Sequence, residues 1–358
     1  MPVGNPNDGI GLLSGQIMLS NSTFYQFINW SHDPVNTEPN WEHIGTFQSY
    51  VMQPSFSIGI TNDINLTITQ SLGLRNMDFT PKYVGEGNPP SNFTSAHHRD
   101  ENSLSDFANA VGGMLGDLSI MSKFILYYTD SSEGSRIFLS TGLTIPSKNI
   151  LNSDPYFRKI IDVDFGNSDG IVEDSEVVNF NNNSSFEERE HKHFAMSDGV
   201  YRFIIEPSFF YKKFTNPVFY GASFKYATQI ASRTTLNSSD SYELTLTSLF
   251  SSSKTAFIKN FIPKNINFSL GSIFTYLGIS NWDGYPSPVS DQLLIRPSFG
   301  VLINTNNYGS FNILMNTTYY FKGIFEDSNT FQHPNFKQAA KESTLILNYR
   351  LPMNLYLW

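Results

Sequence analysis

The sequence contains no cysteine. Disulfides, thiolate metal centres and cysteine nucleophiles are excluded with it. Charge is also scarce: Asp, Glu, Lys and Arg make up 15% of the 358 residues, against about 25% in ordinary soluble domains. No apolar run of about 18 residues occurs, so no transmembrane helix is expected. The start, "MPVGNPNDGIG", shows neither the basic region nor the apolar core of a secretory signal. For an exported protein this implies a processed or re-engineered N-terminus. Chemical motifs are missing as well. There is no G-x-S-x-G elbow, phosphate loop or HExxH, and no enzyme is expected. A net charge of −9 without a basic cluster in sequence argues against nucleic-acid binding.

Aromatics are what the chain has in abundance, 15% in all, with 31 Phe and 18 Tyr. Mean hydropathy is nevertheless slightly negative. Few charges, many aromatics and middling hydropathy fit a transmembrane β-barrel, because each of its strands is only half apolar. A soluble all-β protein accounts for strands but not for the scarcity of charge. The stretch "DINLTITQSLGL" illustrates the pattern: Ile64, Leu66, Ile68, Leu72 and Leu74 alternate with Asn65, Thr67, Thr69, Ser71 and Gly73. A period of two gives a strand with one greasy and one wet face. In a soluble sandwich the greasy face turns inward; in a membrane barrel it faces lipid and the wet face lines the lumen.

Alternation and turn residues predict twelve strands, at 16–30, 47–60, 64–75, 116–128, 135–147, 199–213, 217–228, 240–251, 264–277, 291–304, 309–322 and 342–356. Fourteen are expected if the segments 76–115 or 148–198 hold a further hairpin. Short and long connections nearly alternate, as periplasmic turns and extracellular loops do in outer-membrane barrels. The expectation is therefore a single all-β domain over 1–358: an antiparallel up-and-down barrel in the outer membrane of a Gram-negative bacterium. The last residues, "LYLW", add the terminal aromatic common in such barrels, although Trp358 falls off the apolar parity and Pro352 interrupts it.

One region is family-like. In "GMLGDLSIMSKFILYY" and "RIFLSTGLTIPSKN", a Gly-Asp opens one strand and Gly-x-x-x-Pro-Ser closes the next. Through Gly116, Asp117, Gly142, Pro146 and Ser147 this resembles the bacterial outer-membrane family of phenol-degradation (MetA-pathway) transporters, similar in style to fatty-acid-type transporters. Lys148 stands where that family usually continues with Gly. The resemblance implies a barrel that passes small hydrophobic or aromatic molecules.

Strand parity places Arg75, Lys123, Arg136, Arg202, Lys212, Lys225, Arg296, Lys322 and Arg350 on the wet face, with Glu206 and Glu243 as its acids. Such a basic excess lowers the barrier for anions. The same residues also fit a charge ladder that stiffens the wall, and Lys212 and Lys322 sit where lysines snorkel to headgroups. In the loop 76–115, Ser103 and Asp106 fit a capping box before the stripe Leu104, Phe107, Ala108 and Val111, a helix that either narrows the mouth or lies over the rim. In 148–198, Asp162, Asp164, Asp169 and Glu173 are spaced like ligands of a calcium loop, without the EF-hand's central glycine; a solvated acidic loop gives the same pattern. No other cofactor is expected. His97 with His98, and His191 with His193, are paired as neutral imidazoles that bind Zn or Cu are, or as ordinary loop histidines.

The functional expectation is a channel for small solutes, hydrophobic, aromatic or anionic. The alternative is a structural anchor in outer-membrane lipid whose acidic loops bind a partner protein or calcium.

Overall fold

The computed structural model describes residues 11–32, 41–88, 114–129, 133–151, 195–255, 260–287, 290–305, 308–322 and 338–357. The strands are β1 (Gln16–His32), β2 (Trp41–Gly59), β3 (Ile64–Tyr83), β4 (Leu115–Tyr128), β5 (Gly134–Ile145), β6 (Val200–Lys212) and β7 (Phe219–Ser232). They continue with β8 (Ser241–Ser251), β9 (Ile266–Leu277), β10 (Asn281–Trp282), β11 (Tyr285–Pro286), β12 (Gln292–Thr305), β13 (Gly309–Lys322) and β14 (Gln338–Tyr356).

All but β10 and β11 form one closed antiparallel barrel of twelve strands, each paired with its neighbours in sequence order and β1 paired with β14. Closure gives every barrel strand a partner on both sides, the condition for crossing hydrocarbon with strands. Each of the twelve predicted strands has its counterpart. The extra pair β10–β11 is a small hairpin outside the barrel sheet, in the connection between β9 and β12. Its turn, Asp283-Gly284, has φ of 53° and 91°, the left-handed pair a type I′ hairpin demands. β2, β3 and β14 are longer than their alternation suggested. β4 pairs with β3 only up to Leu72, and above that level β3 pairs with β2 alone among the described residues.

The alternation resolves as a barrel with its greasy face outward. Met52, Phe56, Ile68, Leu143, Phe209, Leu244, Leu246, Leu270, Phe274, Phe299 and Met315 are all exposed. On the opposite parity Ser20, Ser22, Ser55, Ser57, Asn65, Ser140, Ser208, Ser269, Asn312 and Asn348 are buried. A soluble protein does not expose apolar side chains all round its circumference; this band faces lipid. Tyrosines mark one edge of it. Tyr226, Tyr242 and Tyr276 stand side by side on β7, β8 and β9 with ring centroids 5.2 and 6.0 Å apart, and Tyr226 donates its hydroxyl proton to Asp240 at 2.9 Å. Such aromatic girdles belong at the membrane interface.

The predicted helix around Ser103 and Asp106 and the two histidine pairs lie outside the described residues.

Candidate functional site

Residues directly opposite each other on antiparallel strands point to the same side, so the register fixes the lining of the lumen. Near the rim of short turns the lining is apolar. Phe138, Phe210, Phe219, Leu249, Leu302 and Leu314 form one buried cluster, with Ile125, Val218 and Ile346 packed on it. β5 and β13 stand on opposite sides of the barrel, so a cluster that joins Phe138 to Leu314 spans the lumen. Phe138 meets Phe210 edge-on at 5.8 Å, and Phe210 stacks on Phe219 at 5.5 Å. The Phe210 ring lies over Gly221, where a Cβ would come within 2.9 Å of it. Each of these side chains gains about 1.5–3 kcal/mol from burial. Beside this floor the chain before β1 also enters. The Leu12 amide donates to Asn65 Oδ1 at 3.3 Å, Leu12 is buried, and the Leu13 carbonyl crosses the luminal side of Gly59 so closely that no side chain fits there.

Above the floor the lining is mostly polar, interrupted by Met121, Ile204 and Ile273, and carries charges of both signs. Lys123 is level with Asn65 and Ser140, and its ammonium sits 5.4 Å from the Phe138 ring centroid. Ser140 in turn is level with Glu206. Ile205 opposite Tyr226 and Ser208 opposite Ser223 bring Glu206 level with Lys225, and Lys225 faces Glu243. Glu243 is level with Thr275.

Of the two most enclosed charges among the described residues, Glu342 and Arg350, the first is one that the parity reading did not include. Glu342 is 3% exposed. Its carboxylate accepts from Gln26 Nε2 at 2.8 Å and from the Tyr320 hydroxyl at 2.6 Å. Arg296 Nε lies 4.0 Å away and donates to Thr318 Oγ1 at 3.3 Å, while its Nη1 donates to Thr275 Oγ1 at 3.3 Å. Asp117 is a second acid on the luminal parity. Glu206 and Glu243 are therefore not the only acids there, and the lumen is not a uniformly basic sleeve. Both misses lie close to strand ends, Glu342 at the first position of its predicted strand.

The remaining candidates occupy the two rims. Arg136 keeps the luminal parity, opposite Phe210, but is exposed at the short-turn rim. Arg350 is 3% exposed and level with Ser20 and Ser310. At the long-loop rim Arg202 is ion-paired with Asp198 and donates to Ser238 Oγ at 2.9 Å. Arg75 is level with Ser49 and donates to the Ala195 carbonyl. Asp117 accepts from the Ser147 amide at 3.2 Å and from Ser197, so two residues of the family-like pattern, at the ends of successive strands, meet there. Met196 fills the niche left by Gly73 and Gly116. Together these contacts clamp residues 195–198 against β3 and β4. Asp162, Asp164, Asp169 and Glu173, the candidate calcium ligands, lie outside the described residues.

No protein-family model and no curated protein matches the chain. Solved structures do. An outer membrane channel from Pseudomonas putida F1 superposes with a TM-score of 0.54 at 9% identity, covering 98% of this chain and 100% of that one. A FadL homologue of Pseudomonas aeruginosa has a TM-score of 0.41 at 7% identity over 94% of this chain and 90% of its own. The TodX monoaromatic hydrocarbon channel has 0.39 at 9% identity over 96% and 91%. At such identities the first likeness shows a shared fold.

Proposed function

We propose that this barrel sits in the outer membrane, short turns toward the periplasm, and passes small hydrophobic or aromatic solutes rather than free ions. The observation that carries this reading is the apolar floor. Hydrophobic constrictions exclude water and hydrated ions by dewetting, whereas an apolar solute loses little on entering one. The barrel likeness to a solved outer membrane channel supports the location, and the polar band above the floor supports a route that tolerates a polar substituent. Transport of this kind is passive and needs no catalytic group.

The test is paired. In planar bilayers the purified wild type should show no steady ion conductance, and Phe138→Ala with Phe210→Ala should open it, because both rings belong to the floor. In cells lacking other routes, expression should raise uptake of an apolar fluorescent probe. Large conductance steps in the wild type refute the floor as an ion barrier. A second reading has one specific observation in its favour. A lumen crossed by side chains also suits a structural anchor whose loops hold a partner, and absence of solute uptake in a folded, ion-tight barrel would favour that anchor.

A further inference from the structure

The short-turn rim is sorted by charge. Among the described residues, the arc formed by the ends of β5 to β9 holds Arg136, Lys212, Lys213, Lys254 and Lys264, with Glu133 as the acid among them. Around the rest of that rim the described residues of 11–15, 60–63, 305–309 and 353–357 hold a single charged side chain, Asp63, and the nearby Arg350 is buried on the luminal side. The chain as a whole carries −9, so this cationic arc runs against the balance of the molecule.

The turns that bear the lysines are joined into one surface. Asn216 Nδ2 donates to the Ser251 carbonyl at 3.1 Å and to Thr255 Oγ1 at 2.8 Å, and Ser252 Oγ donates to the Pro263 carbonyl at 3.0 Å. Aromatic rings are interleaved with the cations. Lys213 lies 5.8 Å from the Tyr220 ring centroid and Lys254 lies 5.7 Å from that of Phe214. Phe261 is 86% exposed and Phe214 55%. Tyr220 and Phe209 belong to the lipid-facing wall just above. The patch is thus continuous with apolar surface on one side and cationic on the other. A ligand that satisfies both must carry an acyl body and an anionic head.

We propose that this arc is a binding site for an anionic glycerophospholipid of the adjoining leaflet, with the ammonium groups of Lys213, Lys254 and Lys264 on its phosphodiester and Phe214 and Phe261 among its upper chain segments. Lysines reach headgroups by snorkelling, and each such cation near an anionic surface favours it by about fivefold. A zwitterionic lipid brings its own ammonium group, which the lysines repel. The proposal needs the barrel to sit in a bilayer; it does not depend on what the barrel conducts.

The experiment is native mass spectrometry of the full chain from micelles holding equal amounts of phosphatidylglycerol and phosphatidylethanolamine. The wild type should retain phosphatidylglycerol at least about fivefold in excess. The triple variant Lys213→Gln, Lys254→Gln, Lys264→Gln should bring the ratio near one while keeping the heat-dependent gel shift of a folded barrel. Should the triple variant not fold, Lys264→Gln alone must lower the ratio. Lys82→Gln at the other rim, where Lys82 pairs with Glu42 at 3.2 Å, should change nothing. Equal retention by the wild type, an unchanged ratio in the lysine variants, or an equal fall in Lys82→Gln would overturn the proposal. So would full displacement by glycerol phosphate, which has the head without the chains.

Discussion

Arginine substituted at two successive positions of β8 separates the two faces of the wall. Leu246 is the middle residue of Ser241–Ser251, 41% exposed, and lies between the small outward residues Ala222 and Ser272. The middle of a spanning strand meets the bilayer midplane, where an arginine costs about 2–4 kcal/mol. Thr245, one residue earlier, lies between Ser223 and Ile273 on the luminal side. There an arginine finds the polar band and a neighbouring carboxylate, Glu243, on its own strand. Leu246→Arg should therefore shift the folding equilibrium by about 30- to 700-fold, since each 1.4 kcal/mol is tenfold. Thr245→Arg should cost no more than about 1 kcal/mol, the scale of a tolerated polar substitution. Urea titration of the barrel refolded into lipid vesicles, followed by the gel shift of the folded form, measures both. A neutral Leu246→Arg with a disruptive Thr245→Arg would show that the faces have been assigned inside out.

Three further outcomes follow from the lining. Glu342→Leu strands Gln26, Tyr320 and Arg296 without their shared acceptor; because Arg296 keeps 25% of its side chain exposed, the cost should be about 2 kcal/mol rather than that of a fully buried ion pair, read in the same urea titration. Gly142→Ala forces a Cβ against the Ile120 carbonyl and to 2.8 Å from Met121 Cα, and should destabilise by about 1–3 kcal/mol, with Gly142→Val worse. Asp117→Ala removes the acceptor for Ser147 and Ser197, so limited proteolysis should cut near residues 195–198 sooner than in the wild type, while the barrel itself persists.

The strands were legible because each has one face in lipid, which enforces a strict period of two. The floor was less legible because alternation fades where it forms. In "RIFLS", "SFFY", "PVFY" and "SLFS" apolar residues occupy both parities close to a short turn. Phe138, Phe210, Phe219 and Leu249 are the inward members of those runs, and a search of the wet face for charge alone passes over them. That local loss of period is the signal that could have found the floor. The hairpin of β10 and β11 had an overt signal in Asp283-Gly284, but its strands of two residues each are too short to show a period. Glu342 and Asp117 needed a three-dimensional fact, the pairing of β14 with β1 and β13 and the approach of Ser147 and Ser197, to be recognised as enclosed.

The row from Lys123 through Glu206 and Lys225 to Glu243 is not level. Lys123 is the sixth residue from the short-turn end of β4, and Glu243 is the third residue from the long-loop end of β8. Tilted strands turn what looks like a belt into a spiral staircase, with alternating sign at successive treads. On the proposed route a solute moving down the axis would meet these charges one after another, so the potential along its path would ripple instead of forming one deep well. Such a ripple would give a free anion no single deep site. On the same route a dipolar solute would turn from tread to tread, finding a partner for one of its ends at each, and would leave as easily as it enters, which is what conduction through successive weak sites requires.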